Sequence, residues 1–270
     1  MARHILPQPG LGTYRLKEQA VIDSVTSALE LGYRHLDSAQ MYENEAAVGK
    51  AIRQSGVPRD ELFVTTKIWW DKLEPKALTG AIEQSLENFG LDRLDLILIH
   101  WPSPGDEVPM ADTLAALDAA RARGFTRHIG VSNFTIAQID QALGLPGGEN
   151  IVTNQIEVHP FLANRKLVEH CQAKGLDVTA YMPLAVGKVM KDPVLQRIAD
   201  AHDASPAQVA LAWIAARDII VIPSSTNPAN QKSNLEAMKL RLSDDEIARI
   251  DDLDRGDRQA NPSFAPDWDE

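Results

Sequence analysis

The stretch LFVTTKIWWDKLEPKALTGAIEQSLENFGLDRLDLILIH, residues 62–100, holds one complete unit of the architecture. LFVTTK (62–67) and LDLILIH (94–100) are short, apolar and rich in β-formers, as strands buried on both faces must be. Between them Leu78, Ile82, Leu86 and Phe89 recur at the helical period and share one face, and Gly90 stands where such a helix must stop. A strand, a helix and a second strand of this length make two parallel strands joined by a crossover.

The same unit recurs on both sides. Strand-like runs follow at YRHLD (33–37), RHIGVS (127–132), IVTNQIE (151–157), DVTAY (177–181) and IIVIP (219–223), and a first one is expected between Leu6 and Thr13. Val21, Val25, Ala28 and Leu29 mark another amphipathic helix. Ser205 before Pro206, and Ser243 with Glu246, are helix-start signals, while Gly32, Gly56, Gly124 and Gly175 fall at helix ends. Eight such units predict an α/β fold of the (β/α)8 TIM barrel type, with a doubly wound open sheet as the alternative. The long interval before IIVIP has room for an extra helix. A short polar tail carrying Pro262, Phe264 and Trp268 follows Asp254. No linker or second core interrupts residues 1–270, which read as a single domain.

Composition narrows the function. The 270 residues include 27 Lys+Arg against 38 Asp+Glu, a formal charge of −11 that works against nucleic acid or an anionic membrane as partner. No apolar run approaches the ~20 residues of a membrane span. The lone Cys171 cannot form an internal disulfide and MARHIL lacks a secretory h-region, so a cytoplasmic protein is expected, and the acidic surface is compatible with the monomer expected here. No HExxH occurs and the histidines are dispersed, so no metal is expected. Arg15 breaks the dinucleotide fingerprint that Gly10 and Gly12 begin, and Asn44 breaks a P-loop ending at Gly49-Lys50.

Reactive residues of a parallel barrel belong at the carboxyl ends of its strands. Asp37, Lys67 and His100 end three of them, and Tyr42 follows Asp37 in the next loop. Singly, Asp37 reads as well as a helix cap, Tyr42 as packing, Lys67 as half of a salt bridge and His100 as a core histidine. Together, phenol, ammonium, carboxylate and imidazole make a proton-donating site. An ammonium 4 Å from a phenol contributes about 4 kcal/mol at an effective dielectric of 20, or about 3 pKa units, against which desolvation works. Lys67 is therefore expected to lower the pKa of Tyr42. Asp37 would keep Lys67 charged, and His100 could donate to a carbonyl oxygen.

GYRHLDSAQMYENEAAVG (32–49), TTKIW (65–69), LILIHWPSP (96–104), IGVSNF (129–134) and NQIEVHP (154–160) resemble the aldo-keto reductases, in order and over nearly the whole chain. GLGTYRLK (10–17) and IPSST (222–226) are similar to the bacterial branch that reduces 2,5-didehydrogluconate, methylglyoxal and small β-keto esters. The resemblance implies NADPH-dependent reduction of small aldehydes and ketones by the tetrad Asp37, Tyr42, Lys67 and His100, with Tyr42 as general acid. It also implies that Ser132, Asn133 and Gln155 hold the nicotinamide carboxamide and that Tyr181 stacks on the ring. Thr13, Asp37, Leu184, Ser224, Ser225, Thr226 and Asn234 would line the rest of the coenzyme channel. Tyr14, Trp69, His100, Trp101 and Trp268 would contact the substrate. Ser132 and Asn133 could instead cap the helix beginning near Thr135, and only one of Trp69 and Trp70 can face inward.

The chain departs from the family where many members grip the 2′-phosphate of NADP with Lys and Arg. Those positions are Ser224 and Asn230 here, with only Lys232 nearby, so NADH is admitted as a possible coenzyme beside NADPH. Two rival functions remain: a non-catalytic NADP(H)-binding sensor, and a Schiff-base lyase using Lys67.

Overall fold

The computed structural model describes residues 4–269. Its eight parallel strands are β1 (Gly10–Gly12), β2 (His35–Asp37), β3 (Phe63–Ile68), β4 (Leu94–Ile99), β5 (Thr126–Ser132), β6 (Ile151–Glu157), β7 (Asp177–Tyr181) and β8 (Ile219–Val221), paired in that order. The ring closes where the Gly12 N–H donates to the Pro223 carbonyl at 3.1 Å. A Cβ on Gly12 would stand 2.7 Å from the Ile222 carbonyl oxygen, so this seam requires glycine. Closure excludes the open-sheet alternative. β1 is shorter than the expected Leu6–Thr13, because only Gly10–Gly12 pairs with β2.

Helices α1 (Glu18–Leu31), α2 (Glu45–Ser55), α3 (Pro75–Phe89), α4 (Met110–Ala122), α5 (Ile136–Leu143) and α6 (Arg165–Ala173) follow the first six strands in turn. Two helices, α7 (Pro193–Ala201) and α8 (Pro206–Ala215), fill the long interval before β8. The chain then continues through α9 (Pro228–Ala237) and α10 (Asp244–Asp251) into the tail. Ser205 and Ser243 form capping boxes with Gln208 and Glu246. Gly32, Gly56 and Gly90 end α1, α2 and α3 in the left-handed conformation. The start of α5 is capped by Thr135 with Gln138, which frees Ser132 and Asn133 from that role.

The main apolar core lies between sheet and helices, and a smaller cluster of Leu6, Phe63, Leu96, Leu98 and Ile220 fills the barrel interior. Strand alternation links that cluster to the site above it. Phe63, Thr65 and Lys67 share the inner face of β3; Leu96, Leu98 and then His100 share that of β4. The interior is therefore apolar below and polar at its carboxyl end. Asp95, which interrupts β4, is fully buried and held by Arg59, Arg127 and the Val64 N–H.

Candidate active site

At the carboxyl end of the barrel, Lys67 Nζ donates to Asp37 Oδ1 at 2.5 Å and to the Ser38 carbonyl at 2.7 Å. The other Asp37 oxygen accepts from Gln155 Nε2 at 2.7 Å. Three strands thus lock one carboxylate. Tyr42 ends a short 3-10 turn after β2, Gln40–Tyr42. That turn is held from both sides. Buried Asn44 accepts from Ser38 Oγ and donates to the Thr13 and Leu16 carbonyls, while Lys17 Nζ donates to the Tyr42 carbonyl at 2.7 Å. Lys67 Nζ lies 5.1 Å from the Tyr42 ring centre, and the Tyr42 and His100 rings are 5.7 Å apart, edge to face.

Electrostatics differ from the sequence expectation in one respect. Burial holds the Tyr42 phenol well above its ordinary pKa, and the charge of Asp37 and the neighbouring Tyr14 push the same way. Burial and Asp37 outweigh any lowering by Lys67, whose ammonium is already paired with Asp37. Burial also lowers Lys67, against the opposing pull of Asp37. His100 is held well below the usual histidine range by burial and then by Lys67. The floor thus offers a protonated phenol and a neutral imidazole, and the buried Nδ1 of that imidazole has no hydrogen-bond partner among the described residues.

Above the floor opens a cleft of about 910 Å³. Thr13, Tyr14, Asp37, Tyr42, Trp69, His100, Trp101, Asn133, Gln155, Tyr181, Leu184, Ser224, Ser225 and Thr226 all line it. Four residues singled out from the sequence do not. Lys67 lies beneath the surface with its ammonium committed to Asp37 and Ser38, which leaves no free amine for a Schiff base. Ser132 is buried and donates to the Gln155 carbonyl at 2.8 Å. Asn234 is buried on α9 beside Tyr33. Trp268 stands behind Trp101, ring centres 6.0 Å apart, with the Arg258 guanidinium 3.8 Å over its face. The wall position goes to Phe264, which meets Trp69, Trp70 and Trp101 at 5.5–5.6 Å. Trp69 faces the cleft and Trp70 packs behind it.

The sequence reading gave Phe264 and Arg15 no place in the site, and Asn230, noted there for its missing charge, also lines the cleft. Arg15 had a signal: it lies in the loop after a barrel strand and is the only Lys or Arg among the described residues lining the cleft. Asn133 adopts φ 63°, a region asparagine tolerates. Its Nδ2 donates to the His100 carbonyl and its Oδ1 accepts from the Tyr181 hydroxyl at 2.7 Å, which fixes both side chains.

Residues 8–255 match the model of the aldo/keto reductase family. The chain belongs to this family. It is 51% identical over 265 residues to the methylglyoxal reductase DkgB of Escherichia coli O157:H7, covering 98% of this chain and 99% of that one. An aldo-keto reductase of Mycolicibacterium vanbaalenii is 43% identical over 97% of this chain and 91% of its own. Among solved structures, a protein provisionally assigned as 2,5-diketo-D-gluconic acid reductase B superposes with a TM-score of 0.93 at 39% identity, over 98% of this chain and 94% of its own. As an aldo-keto reductase the chain is an oxidoreductase built on a (β/α)8 barrel.

Proposed function

We propose that this chain reduces small aldehydes and ketones with NADPH, and that Asp37, Tyr42, Lys67 and His100 carry the reaction. The observation that bears most weight is the buried Lys67–Asp37 pair set directly under Tyr42 and His100 at the floor of the cleft. Reduced nicotinamide, when bound, supplies the hydride that the carbonyl carbon accepts. The neutral His100 imidazole donates an N–H to the carbonyl oxygen, and Tyr42 gives that oxygen its proton. Lys67, held charged and in place by Asp37, stabilises the phenolate left behind.

The cleft suits a dinucleotide together with a small carbonyl, since its volume is near the upper end of the usual range for ligand sites. The Gln155 side-chain carbonyl makes no hydrogen bond among the described residues and is open to a carboxamide. Tyr181 offers a ring face, and Thr13, Leu184, Ser224, Ser225 and Thr226 continue the channel toward the start of α9, where Asn227 caps the helix. Arg15 supplies a cation for phosphate. Ser132 and Asn234 lie just behind the lining and support it by hydrogen bonds, Ser132 to the Gln155 carbonyl and Asn234 to Tyr33. With Ser224 and Asn230 uncharged, NADH is also accepted. Substrates are of the methylglyoxal, 2,5-didehydrogluconate and β-keto ester types, matched to an opening walled by Tyr14, Trp69, Trp101 and Phe264.

The reading extends to a cytoplasmic monomer without nucleic acid or membrane partners. A complete site within one chain supports the monomer, and a buried free thiol at Cys171 suits a reducing compartment. Tyr42→Phe tests the assignment. Turnover should fall by about 10²–10⁴-fold while calorimetric binding of NADPH is retained; full activity in that variant overturns it.

A further inference from the structure

The tetrad leaves one fully buried carboxylate at the same end of the barrel without a role. Glu157 ends β6 on its inner face, in register with Tyr181. Its Oε1 accepts the Gln259 N–H at 2.7 Å and stands 2.8 Å from His159 Nε2, and its Oε2 accepts the Ala260 N–H at 2.8 Å. Both tail contacts are backbone amides. Beside them the Phe161 carbonyl accepts the N–H groups of Arg255 and Asp257, the Arg255 guanidinium lies 4.0 Å over the Phe161 ring, and Asn164 bridges the Glu157 carbonyl to Arg258. The segment immediately beyond this anchor, including Asn261, Pro262 and Phe264, forms one wall of the cleft.

A buried charge holding two consecutive amides is a strong, directional tie, because releasing either amide leaves the carboxylate desolvated and short of a donor. We infer that Glu157 is a positioning residue for substrate recognition: its carboxylate clamps the Gln259–Ala260 backbone and thereby sets Phe264 against Trp69 and Trp101 as one wall of the carbonyl pocket. Clamping through the backbone separates two jobs. Any residues but proline can be gripped at 259–260, so side chains beyond the grip can vary the pocket without loosening it. The role in selectivity rests on the reductase reading above; the clamp itself does not.

Two variants test the inference. Glu157→Gln replaces one acceptor oxygen with a donor, and Ala260→Pro removes a tail N–H while leaving every barrel side chain intact. In both, trypsin should cut after Arg255 and Arg258 several-fold faster than in the wild type while the barrel stays whole. KM for methylglyoxal should rise about tenfold, with kcat and NADPH affinity within about twofold, the pattern of lost substrate binding. Phe264→Ala should raise KM similarly, and the Glu157→Gln/Phe264→Ala double variant should be no worse than the worse single one, since both act through one wall. Unchanged tail cleavage overturns the clamp. Released tails with an unchanged KM, or additive effects in the double variant, overturn the role in recognition. Should the wild type turn over no carbonyl, the reductase reading fails while the protease result still judges the clamp; should Glu157→Gln not fold, Ala260→Pro decides alone.

Discussion

Lys67 Nζ and Asp37 Oδ1 face each other at 2.5 Å with their side chains only 1% and 3% exposed, so each is the other's main compensation for leaving water. Removing one partner strands the other. Lys67→Met should lower unfolding stability by about 3–5 kcal/mol, whereas the double variant Asp37→Asn/Lys67→Met should lose less than the sum of the two singles. Denaturant unfolding of the four proteins measures this; additive losses would mean that the pair is not coupled.

Acid should weaken the fold through its buried histidines. Burial holds both His35 and His100 below their ordinary pKa. Such a group gains a proton on unfolding, so its stabilising share is complete above about pH 6.5 and declines as pH falls below that value, by up to about 1.4 kcal/mol per pH unit for each histidine. His100→Gln should flatten the slope of thermal midpoint against pH between 6.5 and 5. An unchanged slope would remove His100 from the acid response.

Coenzyme selectivity should respond to a single charge. Ser224 and Asn230 line the cleft near the start of α9, where no Lys or Arg side chain is among the described lining residues. Asn230→Arg should strengthen NADPH binding by about 1.5–3 kcal/mol, the usual value of a charged hydrogen bond, and leave NADH nearly unchanged. Equal gains for the two coenzymes would show that the new guanidinium does not reach the 2′-phosphate.

Gly49 on α2 packs so closely against α3 that a Cβ would lie 2.1 Å from the Phe89 carbonyl oxygen. The two helices touch through backbone. Gly49→Ala should destabilise the protein by about 1–3 kcal/mol despite alanine's better helix propensity. A thermal midpoint at or above that of the wild type would contradict this packing.

The barrel was legible because strand-like and helical runs alternate at similar intervals and helices announce their starts or stops, as Ser205, Ser243 and Gly90 do. Asp37, Lys67 and His100 were legible because three strand runs end on them, and alternation along β2, β3 and β4 turns all three inward at one end. Less could be read where tertiary packing decides. Whether Lys67 acidifies Tyr42 depends on how fully Asp37 takes up its charge and on how deeply the phenol is buried, and neither is a property of the local sequence. Phe264 and Trp268 are both tail aromatics; only the path set at Gln259–Ala260 puts the first at the cleft and the second behind Trp101. Ser132 differs from Asn133 by one position on a strand, enough to turn its hydroxyl onto the Gln155 carbonyl instead of into the opening.

The aromatic wall has an optical consequence. Of the five tryptophans, Trp69, Trp70 and Trp101 meet Phe264, Trp268 stands behind Trp101, and Trp213 alone lies apart, fully buried on α8. Intrinsic emission from this chain is therefore dominated by its working end, and the light it gives off reports directly on what enters the cleft and on where the tail lies.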